Sequence, residues 1–180
     1  MAEATNKTVF IYELIGTVFI VFLGSALHFT FALSGNQSIV GMFSAVNESV
    51  WQHLKLAFWP SLLLTIIEYP LLRKAANNFF TAKAIGVYLM VTIIPLVFYS
   101  YIAFSGKSIF AIDISTFVVA VIIGQVLSCK LLTYRQLPRN LNKIAFVAII
   151  LLALAFIVFT YYPPQLQIFK DSVTGKYGIP

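Results

Sequence analysis

Two histidines, His28 and His53, stand out in a chain made mostly of Leu, Ile, Val, Phe and Ala, and three carboxylates, Glu48, Asp113 and Asp171, are spaced so that a fold can gather them with the histidines. Imidazole nitrogens and carboxylate oxygens are suitable ligands for zinc or another divalent cation, and a catalytic site needs three of them plus an open position. Such an ion polarises a carbonyl or activates a water. Without a metal, the same groups can move protons. His28, Glu48, His53 and Asp113 are therefore the candidate catalytic residues, and Asp171 joins them as a candidate metal ligand. The sequence contains no HExxH pair, no GxSxG, no Walker loop and no GxGxxG. Glu48 and His53 are five residues apart, which on one continuous helix sets them about 140° apart. They can face a common site only if the helix begins after a turn, close to His53.

The densest polar run is SAVNESVWQHLKLAFWP, residues 44–60. Most of it also fits the start of an interfacial helix. Ser44 or Asn47 can cap the helix, and Glu48 favours the positive dipole end. Trp51 and Trp59 suit a headgroup belt, and Lys55 can snorkel. That reading leaves His53 unexplained, along with His28 on a facing helix stripe. Glu13 and Glu68 are expected to pair with Arg73, Lys74 or Lys7 at the opposite interface.

The elements that must position these residues are membrane helices. The chain has 180 residues, of which 60% are hydrophobic and only 10% charged, so a bilayer is its natural solvent. The expected fold is all-α: a bundle of five transmembrane helices over about 9–33, 54–72, 84–104, 112–132 and 143–162, followed by a polar tail over 163–180. Glu3 beside Lys7 and a long first apolar run argue for a retained first helix rather than a cleaved signal. The single cysteine, Cys129, excludes an intrachain disulfide. The net charge of +6 sits in short loops, which is a topology signal and not a nucleic-acid footprint. Eight basic residues fall on the side of Arg73 and four on the side of Lys107. The positive-inside rule then places the amino terminus in the cytoplasm and the tail outside, in a multi-pass protein of the cell membrane. His28, Glu48, His53, Asp113 and Asp171 fall in an outer layer, and Glu13 and Glu68 in an inner one.

Helical spacing aligns Glu13, Thr17, Ile20, Gly24 and His28 on the first helix. On the second it places His53, Ser61, Leu64 and Glu68 on roughly one side, on the third it aligns Tyr88, Thr92, Pro95 and Tyr99, and on the fourth Asp113, Ala120, Gly124 and Ser128. Four helices with polar stripes and a fifth with small residues predict a polar interior braced by the fifth helix. Pro163-Pro164 ends the last helix, and the apolar residues Ile168, Phe169 and Tyr177 predict a tail that folds back over the outer mouth.

At NESVWQHLKLAFWP the chain resembles a family of small bacterial and archaeal integral-membrane proteins of unknown function, marked by an NESVWxHLK motif. The resemblance extends to His28 in GSALHF, to Asp113-Ile, and to the Pro-Pro, Phe-Lys-Asp and Tyr-Gly pieces of the tail. It implies membership over nearly the whole chain and places the shared pieces outside the helices on the outer side. Many members carry Glu where this chain has Gln52. The resemblance implies no activity, so three readings stand: a metal-binding or hydrolytic membrane enzyme, a non-enzymatic binding or transport protein for a solute, ion or lipid, and an accessory subunit. The bilayer is a partner in all of them, nucleic acid in none, and a homodimer or protein partner is compatible with the surface stripes.

Overall fold

A computed structural model describes residues 2–179, with side chains from residue 6 onward, so Glu3 and Pro180 lie outside the described side chains. The fold is all-α. Helices α1 (Ala2–Leu33), α3 (Val50–Leu72), α4 (Phe79–Ser105), α5 (Phe110–Thr133) and α6 (Arg139–Tyr161) are long, and α2 (Ser38–Gly41) is a single turn between α1 and α3. All five long helices have the length and apolarity to cross a membrane. Large apolar side chains such as Phe22, Phe104 and Phe110 cover the outer surface, as a lipid solvent requires.

Helix α3 is the most enclosed of the five. It packs against α1, α4, α6 and a 3-10 turn in the tail (Gln167–Phe169), while α4 lies along α5 and α1 leans on both α3 and α5. Small residues set the closest approaches. A Cβ on Gly24 would collide with the Leu56 carbonyl oxygen, so α1 and α3 nearly touch backbone to backbone there. A Cβ on Gly86 would likewise lie 2.9 Å from the Gly124 carbonyl oxygen, which brings α4 onto α5.

The middle of the bundle is apolar. Ile20, Leu54, Ala57, Phe58, Leu64, Met90, Val121 and Phe156 are all buried there. The hydroxyls that enter this layer bond chiefly within their own helix: Ser61 donates to the Ala57 carbonyl, with Met90 Sδ of α4 at 3.7 Å, and Thr65 donates to the Ser61 carbonyl. The expected polar interior is thus confined to the two ends of the bundle. The Tyr88–Thr92–Pro95–Tyr99 stripe of α4 also departs from expectation. Tyr88 and Tyr99 are exposed, and Thr92, Pro95 and Tyr99 line an open surface groove. The buried face of α4 is instead Ala82, Gly86, Met90 and Ile94, because these small or flexible side chains let α5 approach closely.

Candidate metal centre

One end of the bundle collects the C-terminal end of α1, the start of α3 and the tail. Helix α3 begins at Val50, and its cap is Ser49, whose Oγ accepts from the Gln52 N–H at 3.4 Å. Neither Ser44 nor Asn47 caps the helix. Asn47 Oδ1 instead accepts from the Ser49 N–H at 3.0 Å and turns the chain just before the helix. Glu48 therefore stands outside the helix, free of the 140° constraint, and its carboxylate swings back toward His53.

Three side chains meet here. Ligand atoms of His28, Glu48 and His53 all lie within 4.8 Å of one another. His53 Nε2 is 3.3 Å from Glu48 Oε2, and the two imidazole rings are 5.2 Å apart, centroid to centroid. His53 Nδ1 is 2.8 Å from the Ser49 carbonyl oxygen. A carbonyl only accepts, so Nδ1 carries the proton there, and Nε2 faces Glu48. His28 Nδ1 is buried without a hydrogen-bond partner among the described residues. It reaches this place because Gly24, one turn earlier on the same face, lets α1 close onto α3.

The tail fixes the backbone under this cluster. Its strand-like bridge between Lys170 and Tyr177 closes a small loop, with Gly175 in the left-handed region at φ +71°. Asp171 Oδ1 accepts from the Glu48 N–H at 3.1 Å, Ser172 Oγ donates to the Glu48 carbonyl at 3.0 Å, and Asn47 Nδ2 donates to the Gly178 carbonyl at 2.7 Å. Trp51 packs on Phe169 at 4.8 Å and on Phe156 at 4.7 Å. Glu48's carboxyl is held below the usual glutamate range, first by its hydrogen bond with His53 and then by the histidine charges; its own burial and Asp171 oppose this. For Asp171, burial is the largest influence and acts upward. The Thr174 hydroxyl and the N–H groups of Val173, Thr174 and Glu48 outweigh it, and the carboxyl lies below its ordinary value.

Of the five candidates, His28, Glu48 and His53 are brought together. Asp171 is committed elsewhere: both oxygens accept from the tail loop and from the Glu48 backbone, so it positions Glu48 and does not face the histidines as a ligand. Asp113 accepts from Tyr101 Oη and, at 2.6 Å, from Ser108 Oγ, and so joins the end of α4 to the start of α5. It is not among the three gathered groups.

Two lysines differ from expectation. Lys55 does not snorkel. It is fully buried, with Nζ donating to the Gly41 carbonyl at 2.6 Å and to Thr160 Oγ1 at 3.0 Å, and so ties α3 to the α1–α3 connection and to α6. Its position inside the first turns of α3, on the face turned to α6, leaves its stem no route to solvent. At the other end of the bundle, Glu13 and Glu68 pair with Lys83 of α4, not with Arg73, Lys74 or Lys7. Arg73 and Lys74 lie beyond the end of α3 and are exposed.

Residues 1–179 fit the family model described as a family of unknown function (DUF6512). No curated protein and no solved structure matches.

Proposed function

The chain belongs to that family of unknown function, DUF6512, and from this premise we propose that it is a multi-pass membrane protein binding a divalent transition metal such as zinc through His28, Glu48 and His53, as a hydrolytic centre at the membrane surface. The observation that carries this reading is the spacing. A tetrahedral zinc site with bonds of about 2.0–2.1 Å has ligand–ligand edges of about 3.3 Å. His53 Nε2 and Glu48 Oε2 already stand 3.3 Å apart. The third member lies within 4.8 Å, so His28 needs an inward shift of about 1.5 Å at most to reach an edge of that length.

Supporting shells point the same way. A metal-bound histidine usually donates its other ring N–H to a carbonyl or carboxylate, and His53 Nδ1 has such a partner in Ser49. His28 Nδ1 is buried with its hydrogen-bonding capacity unused. Three protein ligands leave one position open, and Glu48 is exposed, so the centre resembles a catalytic site and not a closed structural one. A metal held there would supply Lewis acidity toward a carbonyl or a bound water. The apolar middle layer disfavours the transport reading, because it separates this cluster from the polar groups at the far end. Loop charge supports an extracytoplasmic position. With buried Lys55 and Lys83 set aside, seven basic residues remain on the Arg73 side against three on the other.

Elemental analysis of the detergent-purified protein, beside His28→Ala and His53→Ala, tests the metal. About one zinc per chain in the wild type, lost in both folded variants, is the expected result. A wild type that takes up no metal after dialysis against zinc overturns the reading and leaves His53 and Glu48 as an ion pair.

A further inference from the structure

The far end of the bundle holds a second polar site, independent of the histidine cluster. Glu13 of α1 is 3% exposed, Glu68 of α3 1% and Lys83 of α4 3%. Lys83 Nζ contacts one carboxylate oxygen of each glutamate. Beyond these contacts, Glu13 Oε2 and Glu68 Oε1 have no well-formed hydrogen bond among the described residues, and the fully buried Ser128 hydroxyl of α5 stands beside Glu13. Two carboxylates and one ammonium leave one negative charge in excess. An uncompensated ionised carboxylate in an apolar interior costs far more than its neutralisation, and carboxylates sharing one site do not both ionise readily.

The site is closed on both sides. One helical turn farther out stand Val9, Leu72, Phe79 and Leu132, four residues from Glu13, Glu68, Lys83 and Ser128 respectively. These four side chains are buried and form an apolar cluster of their own. On the inner side lie Ile20, Leu64, Val87 and Val121 of the main core. No mobile counter-ion from solvent can compensate the excess charge through these layers without passing one of them.

We propose that the Glu13–Lys83–Glu68 triad is an occluded monovalent-cation site, and that its cation is a proton shared by the two carboxyl groups. The protonated carboxyl gains an O–H donor, which can engage an oxygen now lacking a partner, and the triad becomes neutral. Other titratable groups near it are few. Cys129 of α5 lies close enough to sense Glu13 and Lys83. Lys7 of α1, Arg73 beyond α3, Lys130 of α5, and Arg139 and Lys143 of α6 are exposed and face outward. The layer formed by Val9, Leu72, Phe79 and Leu132 is then the barrier that the proton crosses when it exchanges with the adjoining aqueous phase.

Infrared spectroscopy of protein labelled with ¹³C-carboxyl glutamate tests this directly, since only glutamate carbonyl bands shift. At neutral pH the wild type is expected to show the C=O stretch of about one protonated carboxyl per chain. That band should vanish in Glu13→Gln and in Glu68→Gln, where one carboxylate faces one ammonium, and should about double in Lys83→Met. The wild-type band needs no variant to fold. Its absence overturns the proposal, and so does its persistence in both glutamine variants. A band that appears only when sodium is withdrawn also overturns it, by assigning the site to an alkali cation.

Discussion

The two polar ends of this bundle use similar residue types and treat them in opposite ways. At the histidine end, the three gathered groups come from a helix end, a turn and the first turn of α3, and the carboxylate among them is exposed. At the triad end, all three ionisable groups are carried by long helices and are buried under an apolar layer. Glu48 is therefore free to exchange partners with whatever arrives from the medium. Glu13 and Glu68 can change state only by taking up or losing a small ion. The difference lies in backbone placement: an acid one residue before a helix cap is exposed, and an acid on the buried face of a long helix is not.

The sharpest way to break this contrast is to remove one charge at each end. Lys83→Met leaves two carboxyl groups buried without their cation and is expected to cost on the order of 3 kcal/mol of stability. Glu48→Gln at the exposed end should cost less than about 1 kcal/mol. Unfolding in mixed detergent micelles measures both. Equal losses would mean that the triad is not sealed. Next in size is Gly24→Leu. Any Cβ at this position meets the Leu56 carbonyl oxygen, and overpacking of this kind costs roughly 1–3 kcal/mol. The same change should move His28 off His53 and weaken zinc uptake in a titration, leaving the triad's infrared band unchanged. A third change, Asp171→Ala, keeps all three proposed ligands and removes the acceptor that holds the Glu48 N–H. Supporting groups of this kind usually contribute about 10–100-fold to metal affinity, and a zinc titration should show a loss in that range. An unchanged affinity would show that Glu48 is placed by its turn alone.

The helices were legible because a period of apolar residues and its interruptions is a local property. The turns at Ser34-Gly35 and Ser105-Gly106, together with the Arg73-Lys74 break, fall at helix ends in the fold. The convergence of His28 and His53 was legible as stripes, since Gly24 and His28 share one face. Side-chain partners across the bundle were not. Lys83 reads as an ordinary interfacial lysine at the start of α4, and nothing in its neighbours reports that Glu13, 70 residues away, lies against it. Lys55 misleads for the same reason: a lysine near a helix start snorkels unless other elements enclose it, and the enclosing groups, Gly41 and Thr160, are far apart in sequence. Asp113 and Asp171 carried the right chemistry at the right depth. Their carboxylates are claimed by Tyr101 and Ser108 in one case and by the tail loop in the other, partners that composition does not rank.

The smallest expected effect concerns the tail, and it separates the wet end from the dry one by pH. Asp171 has a folded-state value below its ordinary 3.8. A depressed carboxyl stabilises the docked state above the ordinary value, and that contribution is lost as pH falls through the folded value. From neutral pH down to 3.8 the tail should stay seated, and below 3.8 its grip on the Glu48 N–H should weaken. Trp51 reports the change because it packs on Phe169 in the tail. In a Trp59→Phe background, its emission should hold steady to pH 3.8 and then shift to the red. Asp171→Asn should be red-shifted already at neutral pH and show little further change. A wild-type midpoint in the histidine range would instead place control of the tail in the His53–Glu48 pair. The triad's protonated-carboxyl band should not move across the same pH range, because at neutral pH the triad already holds the one proton that makes it neutral.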